Sequence, residues 1–198
     1  MQLDGVCVAI LATHGFEQSE LVEPKRLLEE AGARVDVVAP EPGAIRGWKD
    51  KDWGDEVEVQ ATLTDVDIKD YDALVLPGGV INPDRLRMQP RVLDFVRRIA
   101  VQGKPVAAIC HGPWTLIDAE LVEGRRMTSW PSLRRDLENA GARWEDAAVV
   151  SDGNLITSRK PDDIPQFVQA LVDALQSRPQ PGTGGDVTTV PLASPTLQ

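Results

Sequence analysis

Three stretches of this chain are apolar without interruption over the length of a β-strand, residues 5–12, 73–76 and 106–109. A strand that tolerates no polar residue on either face is covered on both faces, which is the environment of a central parallel strand. A fourth run, 35–39, is broken only by Asp36 and ends before Pro40 and Pro42. Helical patterns lie between these runs. Leu21, Leu27 and Leu28 recur at helical spacing within 17–31 and stop at Gly32, while Val92, Phe95, Val96 and Ile99 share one face of 91–102 before Gly103-Lys104-Pro105. Further helices are expected from Pro113 to about Leu121, over 133–139 and over 164–175. Strand and helix alternating in this way predict a doubly wound, mostly parallel sheet sandwiched between helices.

Two regions depart from that pattern. Residues 44–48 and 57–61 read as short, half-exposed strands around the charged turn 49–56, a small β excursion from the main sheet. Residues 148–157 read as a hairpin around Asp152-Gly153-Asn154. Residues 1–177 are therefore expected to form a single α/β domain. Beyond Ser177 the composition turns to Pro, Gly, Ser and Thr without apolar periodicity, so 178–198 are expected to be a disordered tail.

Charge narrows the partners. Against 31 acidic residues stand 21 Lys and Arg, giving −10, which repels nucleic-acid phosphates and anionic membranes. No apolar run approaches the ~18 residues that span a bilayer, and no basic-then-apolar leader opens the chain, so a soluble, cytoplasmic protein is expected. The two cysteines, Cys7 and Cys110, are too few for a disulfide framework, and they do not combine with His14 and His111 in a metal-ligand spacing. No metal and no cofactor is expected. The cysteine chemistry is thiol chemistry.

In an open α/β sheet, ligands sit at the carboxyl ends of the strands. Three loops emerge there, residues 14–20, 77–84 and 110–114. Cys110 stands between a buried strand and a helix start, where the helix dipole and free N–H groups favour a thiolate and where the geometry is that of a nucleophile elbow. A free cysteine is more often a small buried hydrophobe, and Cys7, in mid-strand, fits that role. His111 is placed to exchange a proton with the sulfur, and Asp84 is a candidate to orient it, although each residue is also at home as a surface or capping group. Glu17, near the end of the first strand, is the candidate carboxyl beside the sulfur; its alternative role is a first-turn acid on its own helix dipole. Gly78, Gly79 and Gly112 offer backbone N–H groups to an oxyanion. Trp48, Trp53, Trp114 and Trp130 are candidates to wall the pocket, but aromatic residues are more often core or interface material, and they are left outside the site.

Four segments taken together resemble the ThiJ/PfpI superfamily, in particular its PfpI intracellular-protease-like and protein-deglycase-like branch. They are Gly15-Phe16-Glu17-Gln18-Ser19-Glu20-Leu21, residues 72–79 ending in Pro77-Gly78-Gly79, Ala108-Ile109-Cys110-His111-Gly112-Pro113, and residues 150–159. The resemblance implies a flavodoxin-like sandwich, a nucleophile at Cys110, and a protonated acid at Glu17 that stabilises a sulfinate on the cysteine. It also implies that an acid from a neighbouring subunit completes a triad with His111, in a homodimer or a hexamer built of dimers. Asp84 falls where that branch carries a Glu, one methylene shorter.

Three functions follow from these readings. The first is a stress-protective enzyme of glyoxalase or deglycase type, acting through the Cys110 thiolate on reactive carbonyls or on their adducts with proteins and peptides. The second is an intracellular cysteine peptidase. The third is a redox sensor or chaperone-like stress protein working through oxidation of Cys110.

Overall fold

The computed structural model describes residues 2–177; the tail expected over 178–198 lies outside the described residues. From the N-terminus the elements are β1 (Cys7–Leu11), β2 (Phe16–Glu17), α1 (Gln18–Glu30), β3 (Arg34–Ala39), β4 (Ala44–Lys49), β5 (Asp52–Glu58) and β6 (Ala61–Thr62). There follow β7 (Ala73–Leu76), α2 (Ile81–Leu86), α3 (Pro90–Val101), β8 (Val106–Ile109), α4 (Pro113–Asp118) and β9 (Arg126–Met127). The described chain closes with α5 (Arg134–Asn139), β10 (Arg143–Trp144), β11 (Val149–Asp152), β12 (Leu155–Ser158) and α6 (Ile164–Gln176).

Seven strands form the main sheet in the order β11-β12-β8-β7-β1-β3-β6. Every neighbouring pair is parallel except β11–β12, the hairpin expected around Gly153. The apolar runs behave as parallel strands must, because alternate side chains enter opposite layers. Val8 and Ile10 of β1, with Val75 and Ile109, meet α1 and α6 on one face. Ala9 and Leu11, with Leu74, Leu76 and Ala108, meet α3, α4 and α5 on the other. The expected excursion is a second, three-stranded sheet, β2-β4-β5, in which β2 runs parallel to β4. Among the described residues no helix is long and apolar enough to cross a membrane.

From β1 the chain winds outward through β3 to β6, then crosses back to β7 and continues through β8 to β12. The direction of winding reverses between β1 and β7, and at such a point the loops leaving the carboxyl ends diverge and open a crevice. The residue after β8 in that crevice is Cys110.

Candidate active site

Cys110 adopts φ = 61°, a left-handed conformation that costs a non-glycine residue about 1–2 kcal/mol. The backbone on both sides holds it there. Its N–H donates to Ser158 O at 3.0 Å, extending the β8–β12 ladder, and its carbonyl accepts Trp130 N–H at 3.0 Å. Pro113 then opens α4, where a missing N–H costs nothing. The outcome is the sharp strand-to-helix turn expected from the sequence, with the cysteine 7 % exposed.

The carboxyl against the sulfur belongs to Glu20, not Glu17. Glu20 is fully buried in the first turn of α1; its Oε2 accepts Gly78 N–H at 2.9 Å, and its other face meets Cys110. Burial raises its pKa to about 8, against the opposing pull of the Gly78 N–H and the Cys110 contact, so it holds its proton at neutral pH. Oε1 is buried without a hydrogen-bond partner among the described residues, and Cys110 is the side chain the carboxyl lies against. Glu17 instead sits at the N-cap of α1, half-buried, with Ser19 Oγ donating to its Oε1 at 3.3 Å. Its pKa is also raised, by burial first and by Asp50 to a lesser extent. Because α1 begins at Gln18, Glu17 precedes the helix while Glu20 falls in line with Pro24 and Leu28 on the buried stripe. That stripe, an acid at i with apolar residues at i+4 and i+8, was the available sequence signal for Glu20.

The glycine loop after β7 divides the expected oxyanion donors. Gly78 N–H is taken by Glu20, and Gly112 N–H by Ile109 O at 2.8 Å, so neither is free for an oxyanion. Gly79 N–H does face the sulfur, together with the N–H of His111. A Cβ at Gly78 would lie 2.6 Å from Glu20 Oε2 and 2.7 Å from Cys110 Cβ, so the loop meets the elbow only as glycine. Asn82 ties the loop down, its Nδ2 donating to Pro77 O and Gly78 O and its Oδ1 accepting Thr13 N–H at 2.8 Å. Burial, then the Glu20 carboxyl, push the Cys110 thiol above its ordinary range, while the Gly79 and His111 N–H groups pull it back. The helix-start thiolate expected from position is therefore offset by desolvation. The Glu20 contribution falls away once that carboxyl is protonated.

His111 completes the group. Its Nδ1 is 3.2 Å from Cys110 Sγ, and burial lowers its pKa, which favours the neutral ring. Trp130 stacks on it at 24° between planes and Trp114 meets it edge-on at 67°. These two tryptophans flank the imidazole, and Trp114 packs against the core as well. Within this chain Asp84 does not meet His111: it lies on the exposed side of the first turn of α2, and no hydrogen bond joins the two among the described residues. Residues 79–84 contain a helix where an extended loop was expected, and this turns the Asp84 position outward. Ser132, a residue the sequence did not single out, has its Oγ 3.5 Å from His111 Nε2. Among the described residues no cluster of His, Cys, Asp and Glu is arranged to hold a metal ion.

A family model described as the DJ-1/PfpI family matches residues 6–174. The chain is 41 % identical over 169 residues to the putative cysteine protease YraA of Bacillus subtilis strain 168, covering 85 % of this chain and 98 % of that protein. It is 39 % identical over 169 residues to deglycase PfpI of Pyrococcus furiosus, covering 85 % and 99 %. The crystal structure of Drosophila melanogaster DJ-1beta superposes with a TM-score of 0.79 at 28 % identity, covering 87 % of this chain and 91 % of that one.

Proposed function

The chain belongs to the DJ-1/PfpI family, and on that premise we propose that it is a cysteine-dependent enzyme acting on reactive dicarbonyls and on their early adducts with protein amino groups. The observation that carries this reading is the pairing of Cys110 with an uncharged Glu20 on one side and a neutral His111 on the other. Such a set moves protons between neighbouring positions without needing a stable imidazolium.

With an α-oxoaldehyde, His111 Nδ1 accepts the Cys110 proton as the sulfur bonds to the aldehyde carbon. The carbonyl π pair moves to oxygen, which takes the proton back and gives a hemithioacetal. The hydrogen on that carbon then leaves as a proton for the adjacent ketone oxygen, forming an enediol. The enediol hydroxyl proton beside the sulfur passes to the second carbon, leaving a 2-hydroxyacyl thioester. Water adds to the thioester, the C–S bond breaks, and the thiol regains its proton, so the aldehyde plus water becomes a 2-hydroxy acid. An early amine adduct enters at the hemithioacetal, the amine departing with a proton as sulfur replaces it. Glu20 stays uncharged against the sulfur, and the Gly79 and His111 N–H groups steady the charge that sulfur carries.

Peptide hydrolysis asks more of His111, because an amine leaving group needs a firmly oriented acid. Asp84 is exposed and makes no bond to the ring within this chain, so the carbonyl reaction is favoured over the peptidase. The test is lactate formation from methylglyoxal by the protein and by Cys110→Ser. Turnover is expected in the first and not in the second; equal rates would remove Cys110 from the reaction.

A further inference from the structure

Asn82 is fully buried in the first turn of α2, and its amide bridges the two loops that diverge where the winding reverses. On one side Oδ1 accepts Thr13 N–H, from the loop after β1, at 2.8 Å. On the other, Nδ2 donates to Pro77 O at 2.9 Å and to Gly78 O at 3.2 Å, both in the loop after β7. One N–H and two carbonyls as neighbours permit only this orientation of the amide.

The two carbonyls belong to the two peptide units whose N–H groups serve the site. No peptide bond among the described residues is cis, so the C=O and N–H of each unit point in opposite directions. The unit that shows Pro77 O to Asn82 shows Gly78 N–H to Glu20 Oε2, at 2.9 Å. The unit that shows Gly78 O to Asn82 shows Gly79 N–H to the Cys110 sulfur. A single NH2 group therefore holds the far ends of both donors. The second unit needs holding, because it lies between two glycines, with Gly79 at φ = 77°, and a peptide without Cβ on either side turns over at small steric cost. Turned over, it would present an oxygen to the sulfur in place of a hydrogen. Its other anchor, Glu17 N–H on Gly78 O, is long at 3.3 Å.

We propose that Asn82 is a positioning residue for Cys110: by clamping the carbonyls of Pro77 and Gly78 it fixes the peptide between Gly78 and Gly79 with its N–H toward the sulfur. A donor already aimed needs no reorganisation when charge forms on sulfur or on a substrate oxygen beside it. An asparagine suits the task because it carries two hydrogens for the carbonyls and an acceptor for Thr13 N–H; a hydroxyl has one hydrogen and a carboxylate none. The part of this inference that concerns turnover rests on the proposed carbonyl reaction; the clamp does not.

Alkylation separates a lost donor from a loosened site. Asn82→Asp keeps the volume and the acceptor for Thr13 N–H but sets an oxygen against the two carbonyls, so Gly79 N–H is expected to leave the sulfur. With less thiolate, iodoacetamide at about pH 8 should modify Cys110 about tenfold more slowly than in the parent protein, while Cys7 in the same sample keeps its rate. A site merely loosened would expose the sulfur and react faster. An unchanged or faster Cys110 rate in Asn82→Asp, with folding checked by urea unfolding, overturns the proposal. Should that variant not fold, hydrogen exchange in the parent protein decides. Gly79 N–H is expected to exchange about a hundredfold more slowly than the exposed hairpin turn at 50–51, and equal exchange overturns the clamp. In methylglyoxal turnover Asn82→Asp should lower kcat about tenfold with KM within about twofold, and a variant that turns over like the parent protein overturns the positioning role. If the parent protein makes no lactate while Cys110 alkylation slows in the variant, the clamp stands and the carbonyl reaction falls.

Discussion

Glu17 and Glu20 are three residues apart and belong to the same helix start, yet they occupy different chemical worlds. Glu17 caps α1 from outside, half-buried, beside Ser19. Glu20, inside the first turn, is sealed between Gly78 N–H and the Cys110 sulfur. Both carboxyls are made weaker acids by burial, and the pKa of Glu20 is carried to about 8. What separates them is one fact of helix geometry: successive residues point about 100° apart, so a helix that starts one position later turns a different acid inward.

The largest expected effect tests this directly. Glu20→Ala should lower methylglyoxal turnover about a hundredfold, whereas Glu17→Ala should stay within about threefold, as expected of a group that does not meet the sulfur. The reverse order, read from kcat, would return the role to Glu17.

Stability against pH sharpens the same contrast. The folded-state pKa of Glu20 is raised from 4.5 to about 8, so folding favours its protonated form. Its contribution is fully present below about pH 4.5 and is lost progressively as pH rises through about 8. Urea unfolding of the parent protein should therefore lose a few kcal/mol across that window through this group. Glu20→Gln, uncharged throughout, should flatten the slope. Glu17→Gln should alter it in the same direction but less, and a slope untouched by Glu20→Gln would contradict the buried, protonated carboxyl.

Oxidation offers a third separation. Mass spectrometry after limited peroxide treatment should find two added oxygens on the Cys110 peptide and fewer on Cys7, whose thiol burial also raises but which has no buried, uncharged carboxyl against it. Glu20→Ala should let Cys110 proceed to three oxygens, because the hydrogen bond that favours the sulfinate is gone; Glu17→Ala should not. Addition spread evenly over both cysteines would argue against a distinct environment at Cys110. The smallest effect is expected at the third acid: Asp84→Asn, exposed on α2, should leave kcat within about twofold. A large loss would show that Asp84 reaches His111 in an assembly of several chains.

The unequal legibility of these residues has physical causes. Parallel strands announce themselves, since both faces of 73–76 and 106–109 are covered and no polar residue is tolerated there. Cys110 and His111 were legible because an elbow is local, set by the strand before it and Pro113 after it. Gly79 was legible for the same reason. Glu20 was not, because its direction depends on the residue at which α1 begins, and helix ends are the least determined part of a sequence pattern. Helix α2 was hidden by Gly78-Gly79 and Asn82-Pro83, which read as loop. Pro83 is tolerated in the first turn, and the buried Asn82 side chain bonds the loop carbonyls instead of breaking the helix. Ser132 lies 21 positions from His111, and it reaches the ring through contacts distant in sequence, the Trp130 hydrogen bond to Cys110 and the stacking of Trp130 on His111.

The left-handed backbone at Cys110 has a further meaning for how the molecule tolerates change. An alanine placed there keeps the strain and loses the sulfur; a glycine loses the sulfur and the strain together. Cys110→Gly is accordingly expected to unfold at higher urea than Cys110→Ala, by about 1 kcal/mol. Without its nucleophile the scaffold has an easier backbone to adopt at this point, so drift toward glycine is resisted by what the thiol does and not by what the fold needs.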